Sequence, residues 1–353
     1  MAGWARWLRP SINWLLVFIP ASLIAELTHQ PLLTFITAAL AIIPLAGLIG
    51  RATDQLAVCV GPRLGGLLNA TFGNVTELIV AVLLIAAGQF DVVKASLIGS
   101  IVGNLLLVLG LSLFVGGLRC GEQAFSARAA GVHTGSLVLA VAGLGVPALL
   151  MATSPRLAAS DREIVSAGVA ATLIVLYAAA LVFMQFTSAH LFRTPASSEH
   201  PEWSRAKALS VLLGAALLVG LESELLVSAL NPALQALKIS PIFVGLILIP
   251  VIGNAAEHAS AVFFAIRNKV DVTLEIAVGS STQVALFVAP AMVYISLLMG
   301  RPMDFVFTGF EIGGVFVATL IIAVISRDGH SNWLEGLQLI GVYVIVALAA
   351  FFL

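Results

Sequence analysis

Two acids in the 353-residue chain are set apart by their neighbours. Gly73-Asn74-x-x-Glu77 and Gly253-Asn254-x-x-Glu257 carry the same residue types at the same spacing, each inside a long apolar stretch. Residues three apart share a helix face, so each amide would stand beside its carboxylate. Gly73 and Gly253, with Pro250, can loosen the helix there and free backbone carbonyls. Carboxylate, amide oxygen and carbonyl are hard donors, the kind that Ca²⁺ prefers. On the next apolar stretch of each half, Ser100 and Asn104 are four apart, and Ser280 and Gln283 are three apart. These four either add oxygens or position the glutamates. Taken singly, such amides also serve as glue between membrane helices.

The two motifs belong to an internal repeat. With residues 73–108 laid over 253–288, at an offset of 180 and without a gap, eleven of the 36 positions are identical. Asp91-Val92 falls on Asp271-Val272, and Gly99-Ser100 on Gly279-Ser280. A weaker echo pairs Asp54 with Glu224, one helix earlier in each half.

The composition says where such acids must sit. Hydrophobic residues make up 60% of the chain and charged ones only 10%, at a mean hydropathy of +1.09. A soluble domain is nearer a quarter charged, so this chain cannot cover soluble cores with polar surface and belongs in lipid. With 17 Lys and Arg against 18 Asp and Glu it has no basic surface for nucleic acid. Cys59 and Cys120 make neither a disulfide framework nor a metal spacing. Charges, prolines and polar clusters divide the sequence into eleven predicted helices, about 11–28, 31–52, 63–88, 92–117, 129–151, 162–186, 207–230, 240–266, 272–298, 304–326 and 333–353. The first, after Arg6 and Arg9, reads as a retained helix and not a cleaved signal. Asp91, Asp271 and Asp304 read as helix caps.

Five crossings separate the matched helices, and five is odd, so the two copies are expected to have opposite orientations. The fold class is then an all-α polytopic membrane protein with 11 transmembrane helices, one extra N-terminal helix and two inverted five-helix repeats. The expected divisions are 1–29, 30–186, a cytoplasmic linker 187–206, and 207–353. Twelve basic residues (Arg6, Arg9, Arg51, Arg63, Arg119, Arg128, Arg193, Arg205, Lys207, Arg267, Lys269 and Arg327) fall on the N-terminal side. Five (Lys94, Arg156, Arg162, Lys238 and Arg301) fall opposite. The positive-inside rule then puts the N-terminus in the cytoplasm and the C-terminus outside.

Inverted repeats recur in secondary transporters with sites where the repeats meet, although a symmetric channel would also have them. Glu77 and Glu257 are each expected near the membrane centre, where a charge costs at least about 2.5–3.5 kcal/mol. Two glutamates with one divalent cation are neutral, and so are two glutamates with two protons. A site that can reorient only when neutral would exchange one for the other. His258 follows Glu257 and is either a proton-sensing or gating residue or a satisfied core histidine. Asp54, Glu222 and Glu224 either line access paths and move with the site or anchor helix ends. Glu311 belongs either to a proton path or to helix packing. An intramembrane hydrolase would want facing aspartates or a Ser/His pair, and neither motif appears. A scaffold would not need the paired acids.

The stretches GGLLNATFGNVTELI (65–79), SLIGSIVGNLLLVLGLS (96–112), PVIGNAAEHAS (250–260) and GSSTQVALFVAP (279–290) resemble the cation/proton exchangers of the calcium/cation antiporter superfamily. That resemblance spans essentially the whole chain and implies a Ca²⁺/H⁺ antiporter with eleven helices, the first outside the repeat. Two departures from eukaryotic members, in the N-terminus and in the central segment, point to the plasma (inner) membrane of a prokaryote. The family's two essential acids fall on Glu77 and Glu257, and its ligand-positioning residues on Asn74, Ser100, Asn104, Asn254, Ser280 and Gln283. His258 matches the histidine after the second acid and favours proton over Na⁺ coupling. A long regulatory N-terminus is not expected, and the acidic central segment of eukaryotic members is reduced to Glu199 and Glu202 among His190 and His200. Ca²⁺ and H⁺ are expected as transported substrates, with no cofactor. Mn²⁺ or a Na⁺-coupled exchange is the alternative, and self-association is left open.

Overall fold

A computed structural model describes residues 12–154, 156, 158–187 and 201–353. Most of the expected linker 187–206 therefore lies outside the described residues, as do Arg6, Arg9, His190, Arg193, Glu199 and His200. The chain is helical almost throughout, because a backbone surrounded by apolar side chains and lipid must satisfy its hydrogen bonds within each segment. In order the helices are α1 (Ile12–Leu27), α2 (Pro31–Val60), α3 (Pro62–Phe72), α4 (Val75–Ala86), α5 (Phe90–Cys120), α6 (Ala127–Thr153) and α7 (Ala159–Gln185). They continue with α8 (Arg205–Ser228), α9 (Leu230–Leu237), α10 (Pro241–Gly253), α11 (Ala255–Ala265), α12 (Val270–Leu298), α13 (Gly309–Ile325) and α14 (Trp333–Phe351). Among the described residues seven of these, α2, α5, α6, α7, α8, α12 and α14, are each long and apolar enough to cross a membrane.

Two expected helices are broken. The stretch 63–88 divides into α3 and α4 at Gly73-Asn74, and 240–266 divides into α10 and α11 at Asn254. Asn74 (φ −101°, ψ 23°) and Asn254 (φ −101°, ψ 9°) adopt nearly the same non-helical conformation. An asparagine there can supply side-chain hydrogen bonds where the ladder is interrupted. Widened π turns recur in α5 (Gly103–Val108), α10 (Val244–Leu248) and α12 (Glu275–Gly279 and Val284–Val288). Such turns are frequent at functional sites.

Some boundaries differ from expectation for identifiable reasons. α2 runs two turns beyond 52, because residues 53–60 hold no breaker before Gly61 (φ 91°) and Pro62. Those turns have a partner: Arg51 pairs with Glu202 at 3.0 Å, the Trp203 N–H donates to Gln55 Oε1 at 3.1 Å, and Arg205 donates to the Cys59 carbonyl at 2.7 Å. α13 starts at Gly309 and not near 304, where Thr308 and Glu311 form a capping box. The three aspartates are not caps. Asp304 pairs with Lys94 of α5. Asp271 accepts the Ser126 N–H at 2.7 Å, and Asp91 sits inside the first turn of α5, with Gln89 at the cap position. Both cysteines are free.

Packing divides into two cores. The larger gathers α4, α5, α6, α7, α9, α10, α12, α13 and α14, with the first turns of α2 and the end of α8, around Leu84, Ile98, Leu137 and Phe305. A smaller one joins α2 to α8 through Leu45, Ile49, Ala52, Leu212, Ala215 and Val219. A two-stranded antiparallel ribbon pairs Gln123 with Ser331 and Ala124 with His330, joining the α5–α6 turn to the α13–α14 turn. We call this the ribbon end, and the one carrying Lys94 and Asp304 the far end.

Candidate functional site

The two helix breaks face each other. Glu77 is the third residue of α4 and Glu257 the third of α11, so each carboxylate sits at the start of a half-helix, where unpaired N–H groups favour negative charge. The amides then cross between the halves. Asn74 Nδ2 donates to Gln283 Oε1 of α12 at 2.9 Å, and Asn254 Nδ2 donates to Ser100 Oγ of α5 at 3.1 Å. Asn104 Nδ2 donates to Ser280 Oγ at 3.3 Å. Ser280 Oγ stands 3.4 Å from both Asn74 Oδ1 and Glu257 Oε2, one proton facing two acceptors. Seven of the eight residues expected to form the cation site thus belong to this hydrogen-bonded set. The eighth, Glu77, lies against it beside Asn254.

Two oxygens in this cluster are left over. Glu77 Oε1 and Asn254 Oδ1 are buried and, among the described residues, have no hydrogen-bond partner. A buried acceptor without a donor is costly and calls for an explanation. Both are hard oxygen donors. The polar groups gathered here are carboxylate, amide and hydroxyl, a mixture that suits a hard cation. Beside them Glu77, Ser96, Ser100, Pro250 and Val284 line a narrow, closely packed gap. The halves meet here in ordinary contact: a Cβ added to Gly253 would lie 3.9 Å from Glu77 Cγ.

The remaining candidates lie outside the hydrogen-bonded set. His258 is half-buried on α11. Asp54 is exposed on α2 and accepts from Asn69 Nδ2 at 3.5 Å. Glu224 is exposed, whereas Glu222 is fully buried and accepts a hydrogen bond from Ser22 Oγ of α1 at 3.0 Å. Glu311 Oε2 accepts from the Thr308 N–H at 2.7 Å and from its hydroxyl at 2.8 Å, a capping role. Sequence reasoning missed a further polar pair, the buried His133 of α6 with the exposed Glu275 of α12, Nε2 to Oε2 at 2.8 Å.

Residues 30–186 and 207–352 match the sodium/calcium exchanger protein family. The chain belongs to that family. It is 44% identical to a Ca²⁺/H⁺ antiporter of Aphanothece halophytica, over 96% of this chain and 95% of the relative. It is 41% identical to the Ca²⁺/H⁺ antiporter ChaA of Bacillus subtilis, over 95% and 97%. Among solved structures it matches native YfkE with a TM-score of 0.86 and 38% identity, covering 97% of this chain and all of that one. The H⁺/Ca²⁺ exchanger CAX shares the fold, with a TM-score of 0.75 at 14% identity over 97% and 91%. This exchanger-family chain is accordingly a multi-pass membrane protein of the transporter class.

Proposed function

We propose that this protein is a secondary active antiporter that exchanges Ca²⁺ for H⁺ by alternating access, with Glu77 and Glu257 as the carboxylates that bind either the cation or protons. The observation that carries this reading is the crossed network, with Glu77 Oε1 and Asn254 Oδ1 left unpaired at its centre. A hard divalent cation would satisfy both oxygens at once. Two protons would neutralise the two glutamates instead, and the neutral site could then reorient. The relatives named as Ca²⁺/H⁺ antiporters support the same pair of substrates.

Eleven crossings follow if α3 with α4, α8 with α9, and α10 with α11 each count as one, together with α1 and α13. The two stretches matched by the family, 30–186 and 207–352, are in keeping with two five-helix repeats after an extra first helix. The ribbon end then faces the cytoplasm, with the N-terminus, and the C-terminus lies outside, in the inner (plasma) membrane.

The test is transport in proteoliposomes with an imposed pH gradient. Ca²⁺ should move against the proton flow without Na⁺, and Glu77→Gln or Glu257→Gln should each abolish the flux in protein that still folds. Flux retained in either variant would overturn the two-carboxylate mechanism. Mn²⁺ and Na⁺ added as competitors separate the alternative substrates, since all three ions prefer oxygen donors.

A further inference from the structure

The two halves pack unequally where the repeat says they should match. At the far end, α10 lies tight on α5. A Cβ added to Gly245 would meet Ala95 Cβ at 2.6 Å and the Val92 carbonyl at 2.7 Å, and one added to Gly99 would meet the Leu246 carbonyl oxygen at 2.2 Å. Only glycines allow backbone this close. With the offset of 180, the counterparts at the ribbon end are Gly65, Gly66, Glu275 and Gly279. They do not meet. Gly65 faces the Ala57 carbonyl of α2, and Gly66 faces the side chain of Gln185. The nearest atoms to a Cβ on Gly279 would be Glu275 Oε1 at 3.2 Å, Glu275 Cδ at 3.4 Å and His133 Cε1 at 3.8 Å, all of them side-chain atoms.

The surface that receives α10 at the far end is therefore occupied at the ribbon end by a side-chain pair. Ala95, which leaves room for Gly245, is replaced in the second half by Glu275. His133 holds that carboxylate at 2.8 Å, and the His133 carbonyl accepts the Thr282 hydroxyl at 3.3 Å. Histidine 133 is buried, whereas the side chain of Glu275 is 58% exposed, at an open face.

We propose that the His133–Glu275 pair is a latch that holds the ribbon end open by keeping a carboxylate on the Gly279 surface that α3 must cover when that end closes. The latch rests on the alternating-access reading. Closing the ribbon end as the far end is closed brings Gly65 onto Glu275 and Gly66 onto Gly279, so the carboxylate must swing away and its hydrogen bond to His133 must break. The pair thus favours one of the two states and leaves the cation site unaltered.

Distance measurement between spin labels tests this. Labels at Val58→Cys, at the end of α2 packed on α3, and at Lys269→Cys, at the start of α12, are placed in a Cys59→Ala, Cys120→Ala background in nanodiscs, with Ca²⁺ and with chelator. The parent should show a long-distance and a short-distance population. Glu275→Ala, Glu275→Gln and His133→Ala should each raise the ratio of short to long by roughly fivefold, the size expected when one hydrogen-bonded pair is removed from one of two states. The exchanged pair His133→Glu with Glu275→His should return it toward the parent value. Two populations whose ratio none of the three single variants changes would overturn the latch and leave alternating access standing. A single distance under both conditions would overturn alternating access itself, and the latch with it.

Discussion

Asn74 and Asn254 each use one side chain for two tasks: the amide N–H₂ reaches across to the other half, which turns the amide oxygen toward the site. Removing that amide unties the halves and takes away an oxygen together. Asn254→Ala should therefore raise the Ca²⁺ concentration for half-maximal transport by about tenfold or more, equal to roughly 1.4 kcal/mol, measured as initial Ca²⁺ uptake against concentration. An unchanged value would assign Asn254 to packing. His258→Ala tests the neighbouring residue. Its profile of transport rate against pH should move by about half a unit if the imidazole senses protons beside Glu257, and superimposable profiles would return it to the core. Six of the eight candidate site residues were legible because Asn74, Glu77 and Ser100 recur as Asn254, Glu257 and Ser280 at an offset of 180, a signal that needs no knowledge of contacts. Asn104 and Gln283 have no such counterpart and were reached through their spacing from Ser100 and Ser280. Glu222 was harder to single out. It and Glu224 are two residues apart, about 200° around a helix, and only packing against α1 decides which points inward. The sequence showed Glu275 as an acid with no counterpart, since the matching position is Ala95, so the repeat gave no reason to select it.

At the scale of elements, the apolar runs predicted nearly all the helices, and they failed where a local detail outweighed hydropathy. Arg51 looked like the membrane edge of α2, yet the helix continues because a later segment, Glu202–Arg205, docks on its last turns. A contact between residues some 150 positions apart leaves no trace in a sliding window. The breaks at Asn74 and Asn254 were foreshadowed by glycine, but the bend itself depends on where the freed amides find partners. The capping box of α13 gives a clean separation of roles. Thr308→Ala should lower stability by about 1 kcal/mol, read as a drop in the melting temperature of the detergent-solubilised protein, with transport per folded molecule unchanged. A large loss of transport at unchanged stability would place this helix start in the proton path. Glycine contacts give a second contrast. Gly99→Ala drives a Cβ into the backbone carbonyl of Leu246, whereas Gly279→Ala meets only movable side-chain atoms. The first should melt several degrees lower than the second, and equal melting temperatures would contradict the close packing of α10 on α5.

For the molecule as a whole, sparse charge makes orientation readable. Basic residues cluster at the ribbon end, and so does Cys120, an exposed free thiol. In cells carrying the Cys59→Ala variant, a membrane-impermeant maleimide should label Cys120 only after permeabilisation. With both native cysteines removed, Leu353→Cys should label in intact cells. The reverse pattern would invert the assigned topology. What composition could not convey is how unequally the two halves are packed, because matched positions of a repeat can occupy non-equivalent surroundings.

The ribbon's first strand does more than join two turns. Gln123 Nε2 donates to the Ala265 carbonyl at 2.9 Å and to Asn268 Oδ1 at 3.0 Å, and the Thr273 hydroxyl donates to the Ala261 carbonyl at 3.0 Å. Through Gln123 the half-helix bearing Glu257 is moored at its tail to the opposite half of the chain, and through Thr273 to α12 of its own half. Fixed at that end and broken at Asn254, it has the mechanics of a lever on a single pivot: its acid-bearing tip can swing, and it cannot glide along its own axis without first casting off Gln123.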